Sequence, residues 1–363
     1  MFMVRNIVSI IGIDSFEKKN INQINAIRTA GLTAHVVSTD NYGVSALNLN
    51  ELGLLFRLKK NIIYRLFQVL FYFLSHVGRI KHVEIYPGGR FALIYVIFAK
   101  IFFNKILVVE RGDLYYYDRA DYLTRLSQRL CYGWADVVWY REYYPGIDVE
   151  AVLSRLGARK IVFIHNAIDS LGESEADESH RSFNERDIDF LWVNTFKEFR
   201  HPDWLLCCLS EEEFSGKKAV LMGVDKKIIG VDADRHHAIA AGVASQSIEI
   251  KERDDPVPLY QRAKYFILAS DLVFLNNALL EAMSYGVVPI VSDVVGADSI
   301  VQDGMDGYLF RNECDGLKEA MLRAAENSEE IWRRLSLMAR EKVAQDFSLE
   351  TWNFKYINMI NAL

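Results

Sequence analysis

Along most of the chain, short runs of apolar and β-branched residues alternate with longer stretches whose apolar positions recur every three or four residues. The short runs predict strands at Ile7–Ile11, Ala34–Ser38, Val83–Tyr86, Ile106–Glu110, Val137–Tyr140 and Ile161–Ile164. A second set follows at Phe190–Val193, Ala219–Met222, Ile248–Ile250, Tyr265–Leu268, Val288–Ser292 and Tyr308–Phe310. Within each run the apolar residues are continuous, which predicts parallel sheets buried on both faces by helices. The expected fold class is α/β. So many strands exceed one doubly wound sheet, and the polar stretch Ser170–Asp187 has the composition of a connection. We expect a Rossmann-like domain over 1–169, a linker over 170–187 and a second Rossmann-like domain over 188–348. Ligands of open parallel sheets sit beyond the carboxyl ends of the strands, so two facing sheets predict a site in the cleft between them. The pattern alone also fits a dehydrogenase, a binding protein or an epimerase.

Composition narrows the classes. The 363 residues carry a net charge of -6, which gives no sign of a nucleic-acid binder. Charge is uneven, however: Leu52 to His82 contains Arg57, Lys59, Lys60, Arg65, Arg79 and Lys81 without an acid, whereas Gly172 to Asp189 is rich in acids. Cys131, Cys207, Cys208 and Cys314 have no regular spacing and read as reduced thiols. The N-terminus reads as a buried strand, not a signal peptide, and the apolar stretches Ile62–Leu74 and Phe91–Phe103 are too short for a bilayer span. A cytoplasmic protein is expected, peripheral on the inner face of the cell membrane if it meets lipid. Residues 56–67, FRLKKNIIYRLF, combine large apolar side chains with clustered cations. As a helix they suit either an anionic membrane surface or the cover of a sheet.

The densest chemistry lies in 276–310, NNALLEAMSYGVVPIVSDVVGADSIVQDGMDGYLF. Asn277 predicts an N-cap, Ala278–Tyr285 a short helix, Gly286 its stop and Val287–Ser292 a buried strand. Free amides at the start of such a helix attract a diphosphate, with Asn276, Asn277 and Ala278 as the candidates. Glu281 falls in the first turn on this reading and can accept from a ribose diol, or merely complement the helix dipole.

This stretch resembles the donor-site signature of retaining glycosyltransferases of family 4. Asn277, Leu279, Leu280, Glu281, Ala282, Met283, Gly286, Pro289, Ser292, Asp293, Gly296, Val301, Asp303, Gly304, Gly307 and Leu309 fall in register with it. The resemblance implies the GT-B architecture and a nucleotide-sugar donor, with Glu281 on the ribose. The family's first glutamate falls on Val273, and Asp271, two positions earlier, is the candidate substitute or else a solvated loop acid. Residues 190–203 resemble the family segment whose arginine and lysine neutralise the leaving diphosphate. Arg200 takes the lysine position, Thr195 the arginine position, and Lys197 is a candidate second cation. Phe347–Trp352 resembles the segment before a last helix, here 349–363, that packs back on the first domain.

In the first half, Glu110 and Arg111 after one strand and Arg90 after another are candidates for the acceptor side, with Glu110 also a candidate catalytic group. Gly12 after the first strand is a weak donor-loop candidate. Asp232-Ala233-Asp234, with His236 and His237, reads as a polar loop more than a metal site, and no dinucleotide-binding glycine pattern follows the first strand. The resemblance implies a metal-independent hexosyltransferase without cofactor, moving a sugar with retention onto a glycan or lipid-linked acceptor in surface-polysaccharide synthesis, such as capsule or lipopolysaccharide. Two alternatives stay open: a non-catalytic GT-B partner subunit, and a nucleotide-sugar epimerase.

Overall fold

The computed structural model describes residues 5–13, 18–38, 54–58, 61–102, 104–169, 181–195, 197–224, 247–273 and 276–363. The chain divides into two compact units, 1–166 with 349–363, and 167–348.

The first unit is built on a parallel sheet of seven strands in the order β3-β2-β1-β4-β5-β6-β7. The strands are β1 (Ile7–Ile11), β2 (Thr33–Ser38), β3 (Leu54–Arg57), β4 (Ile80–Ile85), β5 (Lys105–Glu110), β6 (Val137–Tyr140) and β7 (Ile161–Phe163). Its helices are α1 (Lys18–Thr29), α2 (Ile62–Ser75), α3 (Ala92–Ile101), α4 (Tyr122–Trp134) and α5 (Val149–Arg155). Every residue of β1 is buried, as expected of a central strand covered on both faces.

The 56–67 segment departs from its expected helix. Phe56 and Arg57 belong to edge strand β3, whose register places Phe56 against Val37, and α2 begins only at Ile62 under an Asn61 cap. Lys59 and Lys60 lie outside the described residues. The Asn61 side chain accepts from the Ile63 and Tyr64 amides, which fixes the start.

The second unit has a six-stranded parallel sheet in the order β10-β9-β8-β11-β12-β13. These strands are β8 (Ile188–Val193), β9 (Ala219–Val224), β10 (Ile248–Glu252), β11 (Ala263–Leu268), β12 (Val288–Ser292) and β13 (Tyr308–Phe310). Helices α6 (Pro202–Leu209), α7 (Val257–Tyr260), α8 (Asn277–Ser284), α9 (Cys314–Ala325) and α10 (Glu329–Asp346) surround it. Successive strand residues feed two separate cores. Leu191, Phe266 and Val291 join Leu279, Met283 and Val343, while Phe190, Ile267 and Ile290 join Leu205, Leu317 and Trp332. That division is why these strands read as unbroken apolar runs.

The final helix, α11 (Leu349–Asn361), belongs to the first unit. Trp352 and Tyr356 stack on each other and lie 5.9 and 5.5 Å from the Trp139 ring of β6. The Tyr356 hydroxyl donates to Glu84 (2.6 Å), a buried carboxylate that also meets His82 and Gln23.

The expected linker is only partly a connection. Residues 170–180 lie outside the described residues, but 181–187 are built into the second unit. Arg186 is 1 % exposed and donates to the carbonyls of Arg181, Tyr260, Ala263 and Tyr285. A charge surrounded by acceptors is stable in the interior, and composition alone does not reveal such a case.

Candidate active site

In the second unit, the carboxyl ends of β8, β11, β12 and β13 gather most of the residues singled out above. After β8 the chain makes a tight turn through Asn194 and Thr195. Gly223 of β9 lies against this turn with φ 127°, and a Cβ on it would fall 1.6 Å from the Asn194 carbonyl oxygen, so only glycine fits. The next turn carries Lys197 and Arg200, closed by the Arg200 amide donating to the Lys197 carbonyl (3.0 Å).

The two cations differ in setting. Lys197 is exposed, whereas Arg200 is partly buried, stands 5.3 Å over the Phe199 ring and donates from Nη1 to the Thr195 hydroxyl at 2.9 Å. Burial lowers the Arg200 pKa, yet guanidinium keeps its charge at neutral pH. The Thr195 hydroxyl therefore accepts a bond that orients the Arg200 guanidinium.

Asp271 follows β11 and is fastened to the same turn. Its amide donates to the Phe199 carbonyl (2.9 Å), and its Oδ1 meets His201 Nε2 (2.7 Å) and Asn312 Nδ2 (2.9 Å). Burial raises its pKa, but the His201 and Asn312 contacts outweigh it and hold the carboxyl below its ordinary value. His201 itself adopts the left-handed conformation (φ 39°) and stacks 3.8 Å from Trp204, turning the chain into α6. Sequence alone marks no role for His201, although it lies within the 190–203 segment, or for Asn312, which stands in no motif.

Val273 is 6 % exposed and belongs to the apolar core with Leu268, Leu279 and Leu280. The position on which the resemblance would place a glutamate is thus a packing position in this chain.

Helix α8 begins one residue earlier than expected. Asn276 is the cap, its side chain accepting from the Leu279 amide (3.3 Å), and Leu280 makes the first intrahelical bond back to Asn276. Asn277 and Ala278 therefore contribute the early amides that a helix leaves without intrahelical acceptors. Glu281 consequently lies in the second turn. It is half-buried and accepts from the Tyr260 hydroxyl (3.4 Å) on α7. Burial, and then the Glu281 charge, push the Tyr260 phenol well above its usual value, so it stays a donor.

The first-unit candidates separate into two groups. Glu110 is fully buried at the end of β5, where it accepts from the Gly112 (2.8 Å) and Leu114 (3.1 Å) amides and from the Tyr132 and Tyr144 hydroxyls. Burial is the largest influence on it and raises its pKa against those bonds. Contrary to expectation, Glu110 does not line a surface: it brackets the β5 loop to α4. Gly12 is likewise structural. With φ 90°, it sits where a Cβ would come 2.7 Å from the Tyr86 carbonyl, so it lets the ends of β1 and β4 close on each other.

Arg111 and Gly89, in contrast, line a cavity of about 350 Å³ together with Asp113, Tyr116, Thr124 and Gln128. The Arg111 guanidinium lies 5.0 Å over Tyr86. Arg90, next in sequence to Gly89, is exposed and 3.7 Å from Asp121. Hydroxyl, amide and charged groups around an aromatic ring are a lining suited to a sugar.

Among the described residues, no three His, Cys, Asp or Glu side chains converge as metal ligands. Asp232, Asp234, His236 and His237 lie outside them.

Residues 203–327 match the family described as Glycosyl transferases group 1, a span that includes Asp271 and α8. No curated protein matches the sequence. Among solved structures, HepE of Anabaena in complex with UDP is similar over 99% of this chain and 100% of its own, with a TM-score of 0.77 and 12% identity. A glycosyltransferase from Rickettsia africae has a TM-score of 0.75 at 13% identity, covering 99% of this chain and 98% of its own. The apo form of the lipopolysaccharide outer core galactosyltransferase WaaB has a TM-score of 0.71 at 15% identity, over 98% and 99%. The chain has the GT-B fold, and the group 1 match falls within its second unit.

Proposed function

We propose that this protein transfers a hexose from a nucleotide diphosphate donor to a glycan acceptor, with retention at the anomeric carbon and without a metal. The placement of Arg200 after β8 and of the α8 amides after the neighbouring strand β11, with Glu281 one turn into α8, carries the reading. A diphosphate fits the amides of Asn277 and Ala278 and the Arg200 charge, with Lys197 as an exposed second cation. Glu281, one turn further, suits a ribose diol.

In the reaction the bond from the anomeric carbon to the phosphate oxygen breaks and one to the acceptor hydroxyl oxygen forms. The hydroxyl proton passes to the departing phosphate. Negative charge grows on the leaving diphosphate, where Arg200, held in advance by Thr195, offsets it without reorganising. The uridine nucleotides bound by HepE (UDP and UDP-glucose) make a uridine donor the first to test. The first-unit cavity with Arg111, Asp113 and Tyr116 is the proposed acceptor subsite. Given the likeness to a lipopolysaccharide galactosyltransferase, the acceptor is proposed to be a lipid-linked surface glycan met at the cytoplasmic face of the membrane.

Thermal unfolding with UDP and a panel of nucleotide sugars tests the donor site. A ligand at a hundred times its Kd stabilises by about 2.7 kcal/mol, so Tm should rise by several degrees. Glu281→Ala should remove most of that rise, and an unchanged rise would refute the assignment.

A second reading has its own observation. Val273 in the core and Thr195 in place of arginine suit a GT-B partner subunit that binds a donor without turning it over. Slow release of nucleotide diphosphate from the donor supports the enzyme; Tm protection with no release supports the partner.

A further inference from the structure

Helices α2, α3 and α4 of the first unit lie side by side, with α3 between the other two. Their inner faces are ordinary core, including Val69, Phe73, Val96 and Cys131. The outer face of α2 is not an ordinary surface. Ile63, Phe67, Phe71 and Leu74 recur at intervals of three and four residues, and they are 61%, 62%, 71% and 55% exposed. Ile62 and Leu66 flank that row, also exposed. A solvent-facing helix normally carries its charges there. The only charged side chain of α2, Arg65, is instead buried 3.7 Å over the Phe91 ring. Ile101 on α3 and Tyr122, Leu123 and Trp134 on α4 are exposed as well. Monomeric soluble proteins seldom leave so many large apolar side chains of one helix uncovered.

Charge provides an independent observation. The three helices contain no Asp or Glu, although the chain as a whole has a net charge of -6. Arg125 and Arg129 stand exposed on α4. The nearest acids in sequence sit at helix ends, where Asp121 caps α4 beside Arg90 and Asp136 pairs with Lys100 and Lys105. An apolar face with cations and no acids matches a sheet of anionic headgroups over acyl chains. A second copy of the same face would instead bring like charges together.

We propose that this helical face docks on an anionic lipid bilayer, with Phe67, Phe71 and their neighbours in the headgroup boundary and Arg125 and Arg129 against lipid phosphates. The inference deepens the lipid-linked reading of the acceptor, since it would hold the first unit at the surface where such an acceptor is anchored. No helix among the described residues is long and apolar enough to cross a membrane, so the contact is interfacial.

Flotation of the full chain with vesicles tests it, with no nucleotide sugar present. Phosphatidylcholine vesicles with and without phosphatidylglycerol are compared at low and high salt. Binding should require phosphatidylglycerol and weaken with salt. Arg125→Gln with Arg129→Gln should lower it roughly twenty-five-fold, at about fivefold for each Arg near such a surface. Phe67→Ser with Phe71→Ser should lower it by about tenfold or more; both rings are exposed, so the fold is retained, as far-UV circular dichroism would verify. The proposal fails if the wild type does not float with anionic vesicles or if the Phe variant floats equally well. It also fails if sedimentation equilibrium reveals a dimer that the Phe variant dissociates, because the face then serves a second copy. The UDP-induced Tm rise, read on the same samples, tests the donor site separately.

Discussion

Replacing Arg186 by Met should destabilise the second unit more than any change in the proposed site. The methionine keeps much of the stem but removes every donor. Wild-type Arg186 donates to Tyr260 (3.0 Å), Ala263 (2.5 Å) and Tyr285 (2.6 Å), while Nε reaches Arg181 (3.2 Å). It is the hub that ties α7, the start of β11 and the C-cap of α8 to one residue. Three interior carbonyls left without a donor cost about 1–3 kcal/mol each. Relief of the buried charge offsets part of this: burial, then repulsion from Arg181 and Arg340, already pulls the Arg186 pKa down to about 10. The net loss should be about 3–5 kcal/mol, or roughly 10 °C in Tm for a unit of this size. Thermal unfolding of the full chain followed by tryptophan fluorescence is the assay, since Trp332 lies 5.2 Å from the guanidinium. Arg186→Lys should recover less than half, because one ammonium does not span three carbonyls in a fixed fork. A Met variant within about 2 °C of wild type would show that water satisfies those carbonyls and would refute the reasoning. Since Tyr285 ends the helix that presents the donor amides, the Met variant should also bind UDP more weakly.

Thr195→Val removes the hydroxyl that holds Arg200. One such bond is worth about 1 kcal/mol, so kcat/KM should fall about fivefold while Tm stays near wild type; equal kcat/KM would mean Arg200 needs no anchor. Glu110→Gln keeps an acceptor for the Gly112 and Leu114 amides, so transfer should persist within about tenfold, whereas a general acid or base would lose 10²–10⁴-fold. For Asp271, the folded pKa is depressed, so its charge contributes stability above about pH 4 and loses it as pH falls through the lower folded value. Asp271→Asn should therefore flatten the decline in Tm below that pH. Its side chain is 49% exposed, which limits the loss at neutral pH to about 1 kcal/mol. Gly223→Ala should abolish donor binding, because the Asn194–Thr195 turn must move to admit a methyl group; an intact UDP-induced Tm shift would count against it.

What could be read from sequence follows a physical divide. Strands buried on both faces announce themselves as continuous apolar runs, so β1, β6, β12 and β13 have the bounds their composition predicts. Edge strand β3 does not, because LLFR is short and merges into the amphipathic run of α2. The α8 cap was legible only to within one residue, since Asn276 and Asn277 are equally good caps and tertiary packing chooses between them. Interior charges are the harder case. Arg186 sits in a segment as polar as any linker, and three of its four acceptors come from 74 to 99 residues away. Glu110 looked like a cleft acid because Tyr132 and Tyr144, which enclose it, lie 22 and 34 residues downstream. The dyad of His201 and Asp271 spans 70 residues and carries no local pattern.

The burial of Val273 makes an acid at this position difficult to install. In an exposed loop, exchanging a glutamate for valine would be reversible at little energetic expense. Here Val273→Glu would push a longer, charged side chain into the core that contains Leu268, Leu279 and Leu280. An unpaired interior carboxylate either costs several kcal/mol or takes up a proton. The same core supports α8, so the strain would reach the amides and Glu281. Packing thus excludes an acid at this position: accommodating one requires several neighbouring residues to change together, and a single substitution will not suffice.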